Sequence, residues 1–218
     1  MTKAFTQKKL VLTLALSIVA ALGASAAKAA AFDGPYVQGT LGVAKGETRL
    51  RDFNPDTTVS DQSGKGTLAL AYSRSFGSLN LSGSVLAVIG RVSSGTISGE
   101  DFSGPWKDDF NLRRVWGISV EPGVYLAPKT LAYTKVSFMR ARGSNNYDYD
   151  LGKDIGSASH NHSGIGLGFG LRQGYGTNMD LVFEVQQTQF SSAEYWEDAR
   201  ESYRPSVLTI GLGVAVRF

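Results

Sequence analysis

The 218-residue chain has no cysteine, only six prolines, and no uncharged apolar run long enough to cross a membrane as a helix. Without thiols it can build neither a disulfide scaffold nor a cysteine-ligated metal centre. Its charge is also less basic than it first looks. The formal net charge is +3, but Lys3, Lys8, Lys9 and Lys28 sit in the first 29 residues with no acid beside them. Setting those four aside leaves 18 cations against the chain's 19 acids, so a basic nucleic-acid footprint is excluded. The phosphate-cradle pattern G-x-G-x-x-G is missing too, because Gly164, Gly166 and Gly168 alternate strictly and Phe169 stands where a third fingerprint glycine would fall. No cofactor is expected, and no linear catalytic signature points to an enzyme.

What is present begins with a leader. Lys8 and Lys9 precede an apolar run from Leu10 to Leu22, then small residues and Ala27-Lys28-Ala29. That order of charge, apolar stretch and small residues predicts a cleaved export signal over residues 1–29. The run is about 13 residues, shorter than the roughly 20 a spanning helix needs. The mature domain is then residues 30–218.

Hydrophobicity in that domain has a period of two. Leu208, Ile210, Leu212, Val214, Val216 and Phe218 alternate with Val207, Thr209, Gly211, Gly213, Ala215 and Arg217. The same alternation puts Ile165, Leu167, Phe169 and Leu171 opposite glycines and Arg172, and Leu181, Phe183 and Val185 opposite Glu184. Less clean versions run through 37–43, 68–72 and 81–89, and one of good quality through 116–120. In the segment 131–141 either phase holds a cation, and Lys135 is expected inward with Arg140 outward at the membrane edge, where a charge costs about 0–1 kcal/mol.

Connections alternate in length. Short turns fall at Gly77-Ser78, Pro128-Lys129 and Gly174 to Asn178, while long polar stretches fall at about 45–65, 91–110, 143–161 and 191–205. Short turns on one side and long loops on the other, with about eight strands, predict an all-β, up-and-down antiparallel transmembrane barrel. Closure removes edges that lipid would penalise.

The residues 32–37, Phe-Asp-Gly-Pro-Tyr-Val, the central run 117–125 with 128–133, the run 164–168, Glu184 and the ending 211–218 resemble the small outer-membrane β-barrel family of Gram-negative bacteria, the opacity-like and OmpA-like membrane domains often called the porin family. The resemblance implies a place in the outer membrane, reached through the periplasm. It implies contact with outer-membrane lipid and lipopolysaccharide, and assembly by the barrel-assembly machinery, which would read Ile210, Leu212, Val214, Val216 and Phe218 as its signal. It does not imply one activity, since relatives include adhesins, tethers, narrow pores and a few lipid-modifying enzymes.

Candidate sites stand beside plainer readings. Arg113, Glu121, Lys135, Arg172, Glu184 and Arg217 are expected on the inner face, either as a plug of paired charges or as a polar gate. His160 and His162, with Asp148, Asp150 and Asp154 nearby, are weak metal candidates. A calcium loop would need an acid where Ser159 stands. His162-Ser163 is similar to the pair used by lipid A deacylases, but those enzymes separate the two by one residue. Loop aromatics Tyr147, Tyr149, Tyr195, Trp196 and Tyr203 could form an adhesive surface. Tyr36, Tyr72, Phe76, Trp116, Tyr125, Tyr133, Phe138, Phe190 and Phe218 are expected in interfacial girdles. The leading expectation is a structural or surface-interaction protein whose outer loops meet a host or neighbouring-cell surface. A narrow channel is the alternative, and a lipid A-modifying enzyme a remote third.

Overall fold

The computed structural model describes residues 31–51, 57–101, 104–149, 153–194 and 202–218. The leader, Asp150 and the loop aromatics Tyr195 and Trp196 lie outside the described residues, and so do the side chains of Tyr147, Tyr149 and Asp154.

Ten strands form one antiparallel sheet: β1 (Gly34–Arg51), β2 (Thr57–Phe76), β3 (Leu79–Ile89), β4 (Val92–Asp101), β5 (Gly104–Ala127), β6 (Thr130–Tyr149), β7 (Lys153–Tyr175), β8 (Met179–Phe190), β9 (Ala193–Glu194) and β10 (Ser202–Arg217). Each of the main strands pairs with the next, and β1 pairs with β10 over Tyr36↔Arg217 to Arg51↔Ser202, which closes the ring. β4 prolongs β3 beyond Gly90 along β5, and β9 is a two-residue pairing with β10. The wall therefore has eight staves.

Alternation explains the wall. Leu41, Leu70, Val85, Ile118, Phe138, Ile165, Phe169, Leu181 and Leu212 all point outward and are exposed, although each is apolar. Such a belt is stable only against lipid, since roughly 25 cal/mol per Å² is lost where apolar surface meets water. The tight turns at one end have glycine at φ +66° (Gly77) and +67° (Gly176), a region that other residues rarely adopt.

At the other end the expected long loops are largely strand. β5 has 24 residues, β6 has 20 and β7 has 23, whereas a tilted strand crosses a bilayer in about 9–11. The surplus rises above the belt as a paired ribbon, with Trp106↔Tyr149 and Lys107↔Asp148 still in register on β5–β6. These stretches read as loops in the sequence because 143–146 and 156–163 are runs of Gly, Ser, Asn and His in which no apolar alternation shows.

One irregularity re-aims a strand. Between Arg113 and Trp116 the β5–β6 register slips, and Arg114 has φ +50°. The extra residue of this bulge changes which parity faces inward. Below it Val115, Ser119 and Glu121 are buried; above it Asp108, Phe110 and Leu112 are.

Candidate functional site

The barrel interior holds two layers. The lower one is polar and centres on Lys135. Its Nζ lies 3.0 Å from Glu184 Oε1 and 3.3 Å from Glu121 Oε1. Arg172 is fully enclosed, with Nη2 3.9 Å from Glu121 Oε2, and donates to Tyr36 Oη at 2.8 Å and Gln38 Oε1 at 3.2 Å. Its guanidinium also lies 4.2 Å from the Tyr36 ring centroid, a cation–π arrangement. Tyr133 donates to Glu184 at 2.7 Å and Ser119 to Glu121 at 2.9 Å. The two carboxylates are thus shared between two cations and several hydroxyls, which is what buried ions require.

Glycine makes room for this. Tyr133 pairs with Gly170 across β6–β7, and a Cβ at Gly170 would overlap the Tyr133 ring and hydroxyl. The inner-face glycines of β7 therefore serve the large side chains beside them.

The structure brings Glu121, Lys135, Arg172 and Glu184 together. Arg217 is inward but apart, at the turn end, where it meets Asp180 at 3.1 Å and donates to the Thr177 carbonyl at 2.9 Å. Arg113 is a correction: it is exposed and stands opposite Arg142 on the outer face. The expectation followed parity upward from Glu121, and the bulge at Arg114 breaks that parity. Tyr36, Tyr125, Tyr133 and Phe190 are a second correction, buried inside and not in an outer girdle, while Tyr72, Phe76, Trp116, Phe138 and Phe218 are exposed. The signal for Tyr36 and Tyr133 was their phase, shared with Gln38 and Lys135. Lys65 was also missed; it lines a small cavity beside Lys135, Glu184 and Gln186.

The upper layer is apolar. Leu86, Val92, Phe110, Leu112, Val115, Met139, Phe190, Tyr203 and Val207 form one buried cluster. β4 leans across the mouth, so that a Cβ on Gly46 of β1 would collide with the Ser93 carbonyl oxygen and Ser94. β4 and β1, with the stave of β2 between them, therefore touch across the mouth. Above the cluster, Tyr203 donates to Asp108 Oδ2 at 3.0 Å and Asn145 Nδ2 to the same oxygen at 3.1 Å, and the Phe110 and Tyr203 rings stack at 5.6 Å.

His162 is buried in this upper region, with Nδ1 2.8 Å from the Ser191 carbonyl, whereas His160 is exposed. Burial holds the His162 ring below its ordinary pKa. Among the described residues no group of three or more His, Asp or Glu side chains is placed to hold a metal. Ile210, Leu212, Val214, Val216 and Phe218, the residues expected to form an assembly signal, make an exposed outer row at the end of the chain. The Phe218 amide donates to the Pro35 carbonyl at 3.1 Å, tying the end of the chain to the start of β1.

Comparison with known proteins follows this architecture. The profile described as outer membrane protein beta-barrel domain matches residues 13–218. Neisserial surface protein A, NspA, has a similar structure, with a TM-score of 0.53 and 15% identity over 85% of this chain and 98% of that one. The attachment invasion locus protein Ail of Yersinia pestis gives a TM-score of 0.46 at 12% identity over 84% of this chain and 99% of that one. The N-terminal barrel domain of Pseudomonas aeruginosa OprF gives 0.44 at 10% identity, over 85% and 98%. The search of curated protein sequences gave no match.

Proposed function

Since this chain belongs to the family of outer membrane protein beta-barrel domains and resides in the outer membrane, we propose that it acts through the ribbons it raises above the lipid, as a structural and surface-interaction protein. The observation that carries this reading is the double closure of the lumen. An ion moving through would have to displace both the Lys135–Glu121–Glu184–Arg172 network and the apolar layer under β4. An eight-stave barrel is only wide enough for its own side chains, and here ion-paired charges and packed hydrocarbon occupy it around one small cavity.

Outside, the β5–β6 and β6–β7 ribbons carry exposed polar groups on a paired backbone. A paired ribbon presents its side chains at fixed spacing, so less ordering entropy is lost when a partner binds. A host or neighbouring-cell surface is the partner class this geometry suits. We propose no catalytic role: the inner carboxylates are engaged by cations and hydroxyls, and His162 Nδ1 is bonded to the Ser191 carbonyl.

The channel alternative has one observation in its favour, the cavity lined by Lys65, Glu184, Gln186, Thr40 and Val207 between the two layers. Planar-bilayer recording of the refolded barrel, with Glu184→Ala alongside, separates the readings. A silent bilayer, together with loss of surface capture when residues 144–158 are replaced by a short turn, supports interaction. Reproducible openings whose conductance changes in Glu184→Ala would overturn it in favour of a pore.

A further inference from the structure

The bulge that turns Arg113 outward also completes a row of like charges. Arg113 on β5 stands directly opposite Arg142 on β6. Val92 pairs with Leu112, so Arg91, one residue earlier, is level with Arg113 and is exposed. Arg114 adjoins them at the bulge, and Arg140 lies on the same face of β6, two residues or about 7 Å below Arg142. All five are exposed.

Like charges directly opposite on a sheet repel, and Arg142 turns its Nε and Nη2 to a neutral partner, the Ser159 hydroxyl, at 3.1 and 2.7 Å. Among the described residues none of the five is within salt-bridge distance of a carboxylate. The next acid up the outer face of β5, Asp109, is held by Lys107 at 3.0 Å and by the Thr96 hydroxyl. Neutral groups flank the row: Asn111 and Ser144 above it, Asn161 and Ser163 beside it on β7. A row of guanidinium forks without acids is a receptor for phosphate oxygens, which arginine binds through two parallel N–H donors.

The level of the row selects the source of the phosphate. Arg140 pairs with Trp116, and below them Ile118, Phe138 and Ile165 are exposed in the apolar belt. An indole at that level marks the interface, so the arginines stand at headgroup height on the ribbon side, which faces outward. We propose that Arg91, Arg113, Arg114, Arg140 and Arg142 form a site for the phosphorylated headgroup of an outer-leaflet glycolipid, whose acyl chains lie along Phe138, Ile118 and Ile165. A soluble polyanion would have no use for the hydrocarbon strip beneath.

The test uses the refolded mature barrel in zwitterionic detergent, titrated with bisphosphorylated lipid A and followed by native mass spectrometry. Retained boiling-sensitive electrophoretic mobility of each variant shows that it has folded. Wild type should bind, with affinity falling by at least about tenfold for lipid A stripped of its phosphates and for the pair Arg113→Gln with Arg142→Gln. The Arg113→Lys and Arg142→Lys pair should fall between, because the charge persists and the fork does not. Equal binding of the dephosphorylated lipid, or unchanged affinity in the folded glutamine pair, overturns the site. Displacement of the lipid by inorganic phosphate at equal concentration overturns the assignment to a lipid headgroup.

Discussion

Replacing Lys135 by methionine should be the most damaging single change in the barrel interior. Lys135 is almost fully enclosed and touches two carboxylates, at 3.0 and 3.3 Å. Methionine keeps much of the volume and removes the charge. Glu184 would then retain the Tyr133 hydroxyl, and Glu121 would retain Ser119, the Tyr36 hydroxyl and Arg172 at 3.9 Å. The two carboxylates would be left with Arg172, at the far limit of an ion pair, and with Lys65 across the small cavity from Glu184. Removing one partner of a buried pair typically costs about 3–5 kcal/mol. The hydrogen bonds left behind offset part of this, so a loss of about 3 kcal/mol is expected for Lys135→Met. Glu184→Gln removes one acid but keeps Lys135 paired with Glu121, and should cost roughly 1–2 kcal/mol. In combination the two changes should cost less than their sum, since the charge that Lys135→Met strands is the one Glu184→Gln removes. Urea unfolding of the barrel in lipid vesicles, followed by tryptophan emission, measures all three. A Lys135→Met barrel within about 0.5 kcal/mol of wild type would refute the reasoning, because it would mean that water screens the lumen as it does a surface.

Gly170→Val should be tolerated far less than an outward substitution such as Leu171→Val, because only the former drives a side chain into the Tyr133 ring; the fraction of folded barrel on unheated gels reads the difference. Removing Phe218 should lower the yield of assembled barrel in cells, since the exposed outer row of β10 then loses its terminal aromatic, and an unchanged yield sinks the assignment of that row as the assembly signal. The ribbon end should loosen in mild acid. Burial keeps the His162 ring neutral in the fold, so the unfolded segment binds the proton more readily. The stabilisation is therefore present above about pH 6.5 and is lost as pH falls below it. Amide exchange in 108–112 and 160–163 should quicken between pH 7.5 and 5.5 in wild type and in His160→Gln, but not in His162→Phe; Asp108 on β5 and Tyr203 on β10 are also titratable groups of that layer.

The sequence disclosed most of the wall, because where one face meets lipid and the other a packed lumen, alternation is enforced at every residue. The rows at 165–171 and 208–216 show it plainly, and Lys135 and Arg172 fall inward by the same count. The ribbons were not legible as strand: 143–146 and 156–163 are runs of Gly, Ser, Asn and His with a single alanine, and nothing in their order distinguishes a paired backbone from a loop. Tyr36 and Tyr133 were misplaced for a different reason. Their aromatic character suggested an interfacial girdle, whereas their phase placed them inside, where they give the buried Arg172 a hydroxyl and two π-face partners.

A single inserted residue accounts for the remaining disagreement, for the apolar seal inside and for the arginine row outside. Counting by twos from Glu121 reaches Ser119, Gly117, Val115 and then Arg113, so an unbroken β5 would bury Arg113 and turn Leu112 toward the headgroups. With the bulge at Arg114, Leu112 and Val115 both enter the lumen, where they join Val92 and Met139 in the apolar layer. The same slip places Arg113 beside Arg142 outside. A left-handed conformation at a non-glycine residue is costly, and here the local cost is offset by an interior sealed with hydrocarbon. Deleting Arg114 should reverse both effects together: a barrel that conducts more readily and a headgroup site weakened by the loss of two arginines from its row. Loss of phosphate binding with a lumen still silent would show that the seal under β4 does not depend on the phase of β5.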